Sequence, residues 1–541
     1  MFLWTAGAAA LLLRLLLIFR YRFDSDEPQH MHVAWAWARG MMQYRDVFDN
    51  HMPLFHILSA PLFFVAGDDP NVLYLARLSV VPLFLASLLL VFVIAQRLFD
   101  RRIAAWATAL SALLPPFFLG MLEYRTDDLW VVCWLACIAI FLADMEPPAR
   151  AVVAGAFLGL AFAVSMKSIL FGIAIVVAVV VTREAAGHLI AFLATALSVP
   201  VAIAMFFALN GAWKEFAYCV LWHNASAPFD HVWWRVLWVI PMAPLTVAIA
   251  RRYARAEGDA LVVRRRLFVF LLCAVYVLIL SAFWPILSAE SYLPFYPLAV
   301  LLITPLILRV RFVPVVAASL LILTTAVQAR VWRDDAHDEI ALIRQVLQIT
   351  RPNDQVMDLK GESLFRRRPY WLVLESITHR KLRHRALRDD IASALVRSGT
   401  AVLASIDLPP KTRAFVRHNY VPWGRLWVAG QRLPVIAVRG VNIPFRIAIA
   451  GRYVVADRTG LIDAAIDGVP VREGVELNGG WHHLTVSHPV ARPLIIWWGV
   501  TRSPNFFAFL CEIEEIRRVS SRLLRPCAPL SVHPGSPSDL P

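Results

Sequence analysis

Two adjacent carboxylates, Asp26 and Glu27, follow directly on the first hydrophobic segment, within the run Phe23-Asp24-Ser25-Asp26-Glu27-Pro28-Gln29-His30. An acidic pair held at a membrane surface suits chemistry on a lipid-borne substrate: one carboxylate takes a proton from a hydroxyl while its neighbour orients it or the acceptor. The plainer reading is capping, because Ser25 or Asp26 would accept hydrogen bonds from the first-turn amides of a helix beginning near Pro28. Both can hold at once. Arg77 and Lys167 stand at the outer ends of apolar segments, where an ionisable group is costly unless it faces a polar cavity, and a lipid phosphate is its natural partner there. For Lys167 the competing reading is a side chain snorkelling from a helix end. Asp127 and Asp128 would likewise serve either substrate or the N-terminus of the helix that follows them. Asp26, His30, Asp49 and His51 offer oxygen and nitrogen donors that suit a divalent ion, and such an ion would help hold a phosphate. No pair among them has a spacing that specifies a metal, and no other cofactor is implied.

These residues must be positioned by membrane helices. With 59% hydrophobic and 17% charged residues and a positive mean hydropathy, the chain exceeds the apolar share of a soluble domain. Its apolar residues come in long runs, and a bilayer crossing takes about 20 of them. The formal charge of +14 would point a soluble chain toward nucleic acid. Here much of it flanks the apolar runs, where Arg sets orientation and meets anionic headgroups, so no nucleic-acid partner is expected. Six cysteines are too few for a disulfide scaffold and show no zinc spacing.

Hydropathy places about 11 spans near 2–20, 72–98, 103–120, 129–143, 150–165, 169–181, 188–208, 233–250, 267–283, 294–308 and 312–328. With the N-terminus cytoplasmic, the inner segments carry Arg101-Arg102, Arg150, Arg183, Arg251-Arg252, Arg264-Arg265-Arg266 and Arg309, which satisfies the positive-inside rule. Arg20 and Arg22 break it, on the side where Asp26 lies. The outer loop 21–71 contains two segments, 27–40 and 53–66, that are too short to cross and fit helices lying in the interface. Residues 1–330 thus form a membrane domain with an amphipathic outer loop. Residues 331–433 read as an extracytoplasmic α/β domain, 434–527 as a β-rich module and 528–541 as a disordered tail. Cys511 and Cys527, outside in an oxidising compartment, are expected to pair.

The motifs then resemble a family. Asp26-Glu27, His32-Val33-Ala34-Trp35 and Tyr44 through Phe55 look like the first outer loop of GT-C glycosyltransferases of the protein O-mannosyltransferase and aminoarabinose-transferase type. Arg77-Leu78 is similar to the family's Arg-Leu, Arg125-Thr126-Asp127-Asp128-Leu129 to its Arg-Pro-Asp-Ala-Leu, and Lys167 to a Lys-Gly; Tyr292 with Pro294 and Pro297 resembles a Tyr-Leu-Leu-Pro segment. Ser168 replaces the Gly, Thr126 the Pro, and Glu290-Ser291 stand where Arg often precedes Tyr. The resemblance covers roughly residues 1–310. It implies a GT-C fold in a bacterial inner membrane and a polyprenyl-phosphate sugar as donor, with a glycan, lipid or protein of the cell envelope as acceptor. It further implies Asp26 as base with Glu27 beside it, and Arg77, Asp127, Lys167, Tyr292 and His51 on the substrates.

A lipid-linked glycan transporter or polymerase-like protein is the alternative. Such a protein would carry its ionisable groups deep in the spans and show internal pseudo-symmetry. In this sequence they cluster beside the outer loops.

Overall fold

A computed structural model describes residues 2–183, 186–226, 233–255, 258–284, 286–436, 438 and 440–510. The contacts divide the chain into two units. The first holds residues 1–347, 352–391 and 407–409, and the second holds 348–351, 392–406 and 410–541.

The first unit is a bundle of apolar helices. Phe2–Arg20 opens it, and Val72–Ser79, Val81–Leu98, Arg101–Leu113, Thr126–Phe141, Pro147–Val164, Ser168–Thr182, Leu189–Leu209, Trp233–Ala254, Ala260–Phe283, Phe295–Ile307 and Val313–Gln328 follow the expected spans closely. Among the described residues, the stretches 72–98, 147–164, 189–209, 234–254 and 260–283 are long and apolar enough to cross a membrane. Their surfaces keep many leucines and valines exposed, as a lipid-facing bundle requires. Helices Pro147–Val164 and Leu189–Leu209 meet through Gly155 and Gly159. A Cβ would stand 2.5 Å from the Phe192 carbonyl oxygen at the first glycine and 2.9 Å from that of Ala196 at the second. The small-xxx-small spacing therefore lets two backbones touch. Arg14 is buried in the first helix and spends its guanidinium on the carbonyls of Phe118 and Met121 and on the Phe84 ring, 4.1 Å away.

The outer loop folds as helices Asp26–Ala38 and Leu54–Ala66. The first does not lie in an interface: Glu27 through Ala36 are buried, Trp35 among them. Ser25 does precede it but makes no side-chain capping bond.

Residues 352–391 belong to this membrane unit, whereas the sequence reading placed them in a separate domain 331–433. The reason is packing on the outer loop. Trp371 donates its indole N–H to the Tyr44 carbonyl at 2.9 Å, His32 pairs with the Leu364 carbonyl at 2.7 Å, and Gly361 lies against His32.

The second unit is built of antiparallel strands. One sheet runs Val402–Leu403, Leu426–Arg432, Leu494–Trp497, Gly451–Asp457, Val475–Leu477, with Tyr420–Trp423 and Gly460–Leu461 paired alongside. A second sheet runs Ile443–Ile447, Gly480–Val486, Ala464–Ile466, Val469–Pro470. Period-two burial makes its inner face: Phe445, Ile447, Leu484 and Val486 are buried, while Arg446, Trp481 and His483 face out. The tail 528–541, Cys511 and Cys527 lie outside the described residues. Cys133, Cys137, Cys219 and Cys273 are buried free thiols.

Candidate active site

Asp26 is the first residue of its helix, and its carboxylate lines a cavity of about 780 Å³ in the first unit. The loop between the helix ending at Gly120 and the one beginning at Thr126 brings Arg125 against it. Arg125 Nη2 donates to Asp26 Oδ2 at 2.9 Å and Nη1 to Asp24 Oδ1 at 2.7 Å, so one guanidinium fork holds two carboxylates. The other edge of the same guanidinium lies 3.5 Å from Asp127 Oδ2. Asp127 Oδ1 in turn accepts from Lys167 Nζ at 2.7 Å, and that ammonium sits 4.8 Å from the Trp130 ring centroid. Asp26, Arg125, Asp127 and Lys167 thus alternate in charge along one cavity wall.

The neighbouring pair Asp127-Asp128 divides its work. Asp128 Oδ2 accepts the Arg125 backbone N–H at 3.2 Å, which is the capping role, and leaves Asp127 for the cavity. Ser168 accepts from the Trp130 indole at 2.9 Å and fixes the ring under Lys167.

Burial by itself would raise the Asp26 carboxyl. Arg125, and then Lys360 at 2.6 Å from Oδ1, more than offset this and hold it well below the usual carboxylate range. Lys360 was missed by sequence reasoning, and so were Asp24 and Arg125 as members of the site. Asp24 and Arg125 flank the recognised motifs and could have been found there. Lys360 lies 334 residues from Asp26 in the sequence and carries no local signal.

His51 lines the cavity and bonds through Nδ1 to Asp49 Oδ1 at 2.9 Å. Burial pushes its imidazole down, but Asp49 outweighs this and raises it. Gln29 and Gln43 also donate to the two Asp49 oxygens, at 2.9 and 3.0 Å. His30, Asp49 and His51 present donor atoms within 4.8 Å of one another. Asp26 is not in this group; its two oxygens accept from Arg125 and Lys360. The His30 Nε2 atom is buried with no hydrogen-bond partner among the described residues, so the trio fits a cation that completes its coordination there.

Three of the expected residues stand elsewhere. Glu27 is fully buried; its two oxygens accept from Arg77 at 2.6 and 2.9 Å and from the backbone N–H groups of Asp24 and Tyr124, both at 2.9 Å. It positions the loop instead of touching Asp26. Arg77, equally buried, adds the carbonyls of Ile18, Tyr21 and Arg22 and stacks 3.8 Å from the Phe23 ring centroid, so its charge is spent inside the protein and does not line the cavity. Tyr292 turns its hydroxyl to Ser281 Oγ at 3.0 Å; its neighbours Glu290 and Ser291 line the cavity in its place.

Residues 51–209 match the family described as dolichyl-phosphate-mannose-protein mannosyltransferase. No curated protein matches the sequence. Among solved structures, the chain is similar to apo ArnT from Cupriavidus metallidurans, at 15% identity and a TM-score of 0.55, over 79% of this chain and 97% of that one. It is also similar to ArnT from the same organism bound to undecaprenyl phosphate, at 14% identity and a TM-score of 0.50, over 76% and 94%. The oligosaccharyltransferase of Archaeoglobus fulgidus matches more distantly, at 10% identity and a TM-score of 0.43, over 74% and 69%. The fold is that of the GT-C proteins, and the chain is a multi-pass membrane protein.

Proposed function

We propose that this chain, a glycosyltransferase of the GT-C type, moves a sugar from a polyprenyl-phosphate-linked donor to an acceptor outside the cytoplasm by one inverting displacement. The observation that carries the reading is the alternating row Asp26, Arg125, Asp127, Lys167 on a cavity whose remaining wall includes Leu170, Leu221, Phe283 and Ile286. A lipid phosphate needs both kinds of surface: cations for its head and an apolar flank for its chain. The undecaprenyl phosphate held by the similar ArnT structure supports the same donor class.

In the reaction the acceptor hydroxyl oxygen attacks the anomeric carbon while the bond from that carbon to the phosphate oxygen breaks. The hydroxyl proton passes to the Asp26 carboxylate, and the leaving phosphate keeps the bonding electrons. Lys167 meets that charge, oriented by Asp127, and His51 stands at the same wall. A weakly basic carboxylate is adequate here, because the attacking hydroxyl turns strongly acidic only as its new bond forms. Were a divalent ion bound, His30, Asp49 and His51 would hold it, and its charge would add to that of Lys167 on the phosphate. The Arg-rich inner loops support a cytoplasmic N-terminus and an outward-facing Asp26.

The test is incubation of the purified protein with a radiolabelled polyprenyl-phosphate sugar and cell-envelope acceptor fractions. Release of free polyprenyl monophosphate, matched by label in an acceptor fraction, is expected. Movement of intact lipid-linked sugar across vesicles without release would favour the transporter reading.

A further inference from the structure

The carboxylate assigned as base is occupied by a lysine from far along the chain. Lys360 Nζ lies 2.6 Å from Asp26 Oδ1 and 3.0 Å from Ser25 Oγ, which takes two of the ammonium's three donors. The turn that delivers it is tied from both ends. Asp358 accepts the backbone N–H groups of Gly361 at 3.0 Å and Ser363 at 2.9 Å, while Glu362 Oε2 accepts those of Leu359 at 3.0 Å and Lys360 at 2.8 Å. Gly361 has φ +111°, and a Cβ there would come within 2.8 Å of the His32 Cβ, so glycine alone lets this turn seat on the helix of Asp26.

Lys360 also stands in the wall between two cavities. One is the 780 Å³ cavity with Arg125 and Lys167; the other, about 140 Å³, is lined by Arg367 and Arg368 as well. Asp24, Asp127, Glu290 and Glu375 line the first cavity as well and Asp46 the second, and Arg368 pairs with Asp358 at 2.9 Å. An anion entering beside Lys360 therefore meets cations that are each held by a carboxylate or, for Arg367, stand near one. A lysine is a point charge on a flexible four-carbon stem and changes partner at small cost, whereas the Arg125 fork is fixed by Asp24 and Asp26 together.

We propose that Lys360 is a phosphate-binding residue held in reserve on Asp26: a substrate phosphate and the Asp26 carboxylate compete for one ammonium, and arrival of the phosphate frees the carboxylate. The inference rests on the reading of Asp26 as base only for the consequence of that release. The competition stands on geometry alone. The phosphate arrives either on the donor lipid or on the acceptor.

Binding of polyprenyl monophosphate to the full-length protein, in wild type, Asp26→Asn, Lys360→Met and the double variant, tests the competition. Asp26→Asn should tighten binding, and Lys360→Met should cost about tenfold more in the Asp26→Asn background than in the wild type, within the usual range for side chains in contact. Asp24→Asn, which removes a carboxylate paired with Arg125, should leave the cost of Lys360→Met unchanged. Lys360→Gln repeats the cycle with a neutral head that still donates to Asp26 and Ser25. A soluble sugar 6-phosphate, whose phosphate is not on the anomeric carbon as the donor's is, serves as the second probe, and coupling confined to it assigns the phosphate to the acceptor. An equal cost of Lys360→Met in both backgrounds with both probes overturns the proposal. Wild-type turnover in Asp26→Asn would instead remove the base and leave the binding cycle intact.

Discussion

Replacing Asp26 by Asn tests the chemistry most directly, because the structure predicts a change in rate with little change in fold. The asparagine keeps the size and one acceptor. Arg125 retains Asp24 at 2.7 Å, Asp127 at 3.5 Å and Glu123 at 3.7 Å, and Lys360 retains Ser25 at 3.0 Å, so no buried cation is stranded. What disappears is the proton acceptor. Loss of a general base slows turnover by about 100-fold to 10⁴-fold, and the lower bound corresponds to roughly 2.7 kcal/mol in the barrier. The assay is single-turnover release of polyprenyl monophosphate from a saturating polyprenyl-phosphate sugar, beside a binding measurement that should show affinity undiminished. Asp127→Asn is the comparison, since it loosens Lys167 without removing the base. Transfer by Asp26→Asn within about threefold of wild type, less than a typical general base supplies, would refute the assignment and pass the role to Asp127.

Lys167→Ala should lower both donor affinity and turnover, because the same charge meets the bound and the leaving phosphate; a fall in turnover alone would place Lys167 outside the phosphate site. Burial draws the His56 imidazole down to about 4 against the pull of Asp49, and burial with His51 and His56 draws His30 well down too. The unfolded imidazoles therefore take up protons first as pH falls below about 6.5, so the thermal midpoint should drop between there and about pH 4, less steeply in His56→Asn. His51, raised by Asp49, has the opposite sign: its stabilisation is full below about 6.5 and fades as pH rises through its higher folded value. Cysteines placed at the exposed positions Arg45 and Arg102 should react with an impermeant thiol reagent from opposite sides of the membrane, and reaction of both from outside would overturn the orientation.

Much of the bundle was legible because a span is a property of about 20 consecutive residues, and the helices from Phe2–Arg20 to Val313–Gln328 fall on the hydropathy maxima. Asp26, Asp127, Lys167 and His51 were legible for a related reason: each is a charged or titratable group at an apolar boundary, and all four line one cavity. The same signal marked Arg77, but sequence cannot say whether a boundary cation faces a cavity or a buried carboxylate. Glu27 was the missing half of that pair. The burial of helix Asp26–Ala38 was hidden too, because part of its cover comes from residues 352–391. Their mixed composition reads as a soluble domain until Trp371, Leu364 and Gly361 are seen against the loop.

The Arg77–Glu27 pair changes how inactive variants of this protein should be interpreted. Arg77 holds the Tyr21 carbonyl just past the first span, and Glu27 holds the Asp24 amide and the Tyr124 amide that precedes Arg125. A substitution at Arg77 leaves a carboxylate uncompensated in the interior, at a typical expense of about 3–5 kcal/mol, and it slackens both supports of the Asp26–Arg125 contact. Loss of activity at Arg77 would look like loss of a substrate ligand in any screen that scores growth or product alone. Only a variant library read for abundance as well as for turnover separates the keystone of the loop from the groups that meet the sugar.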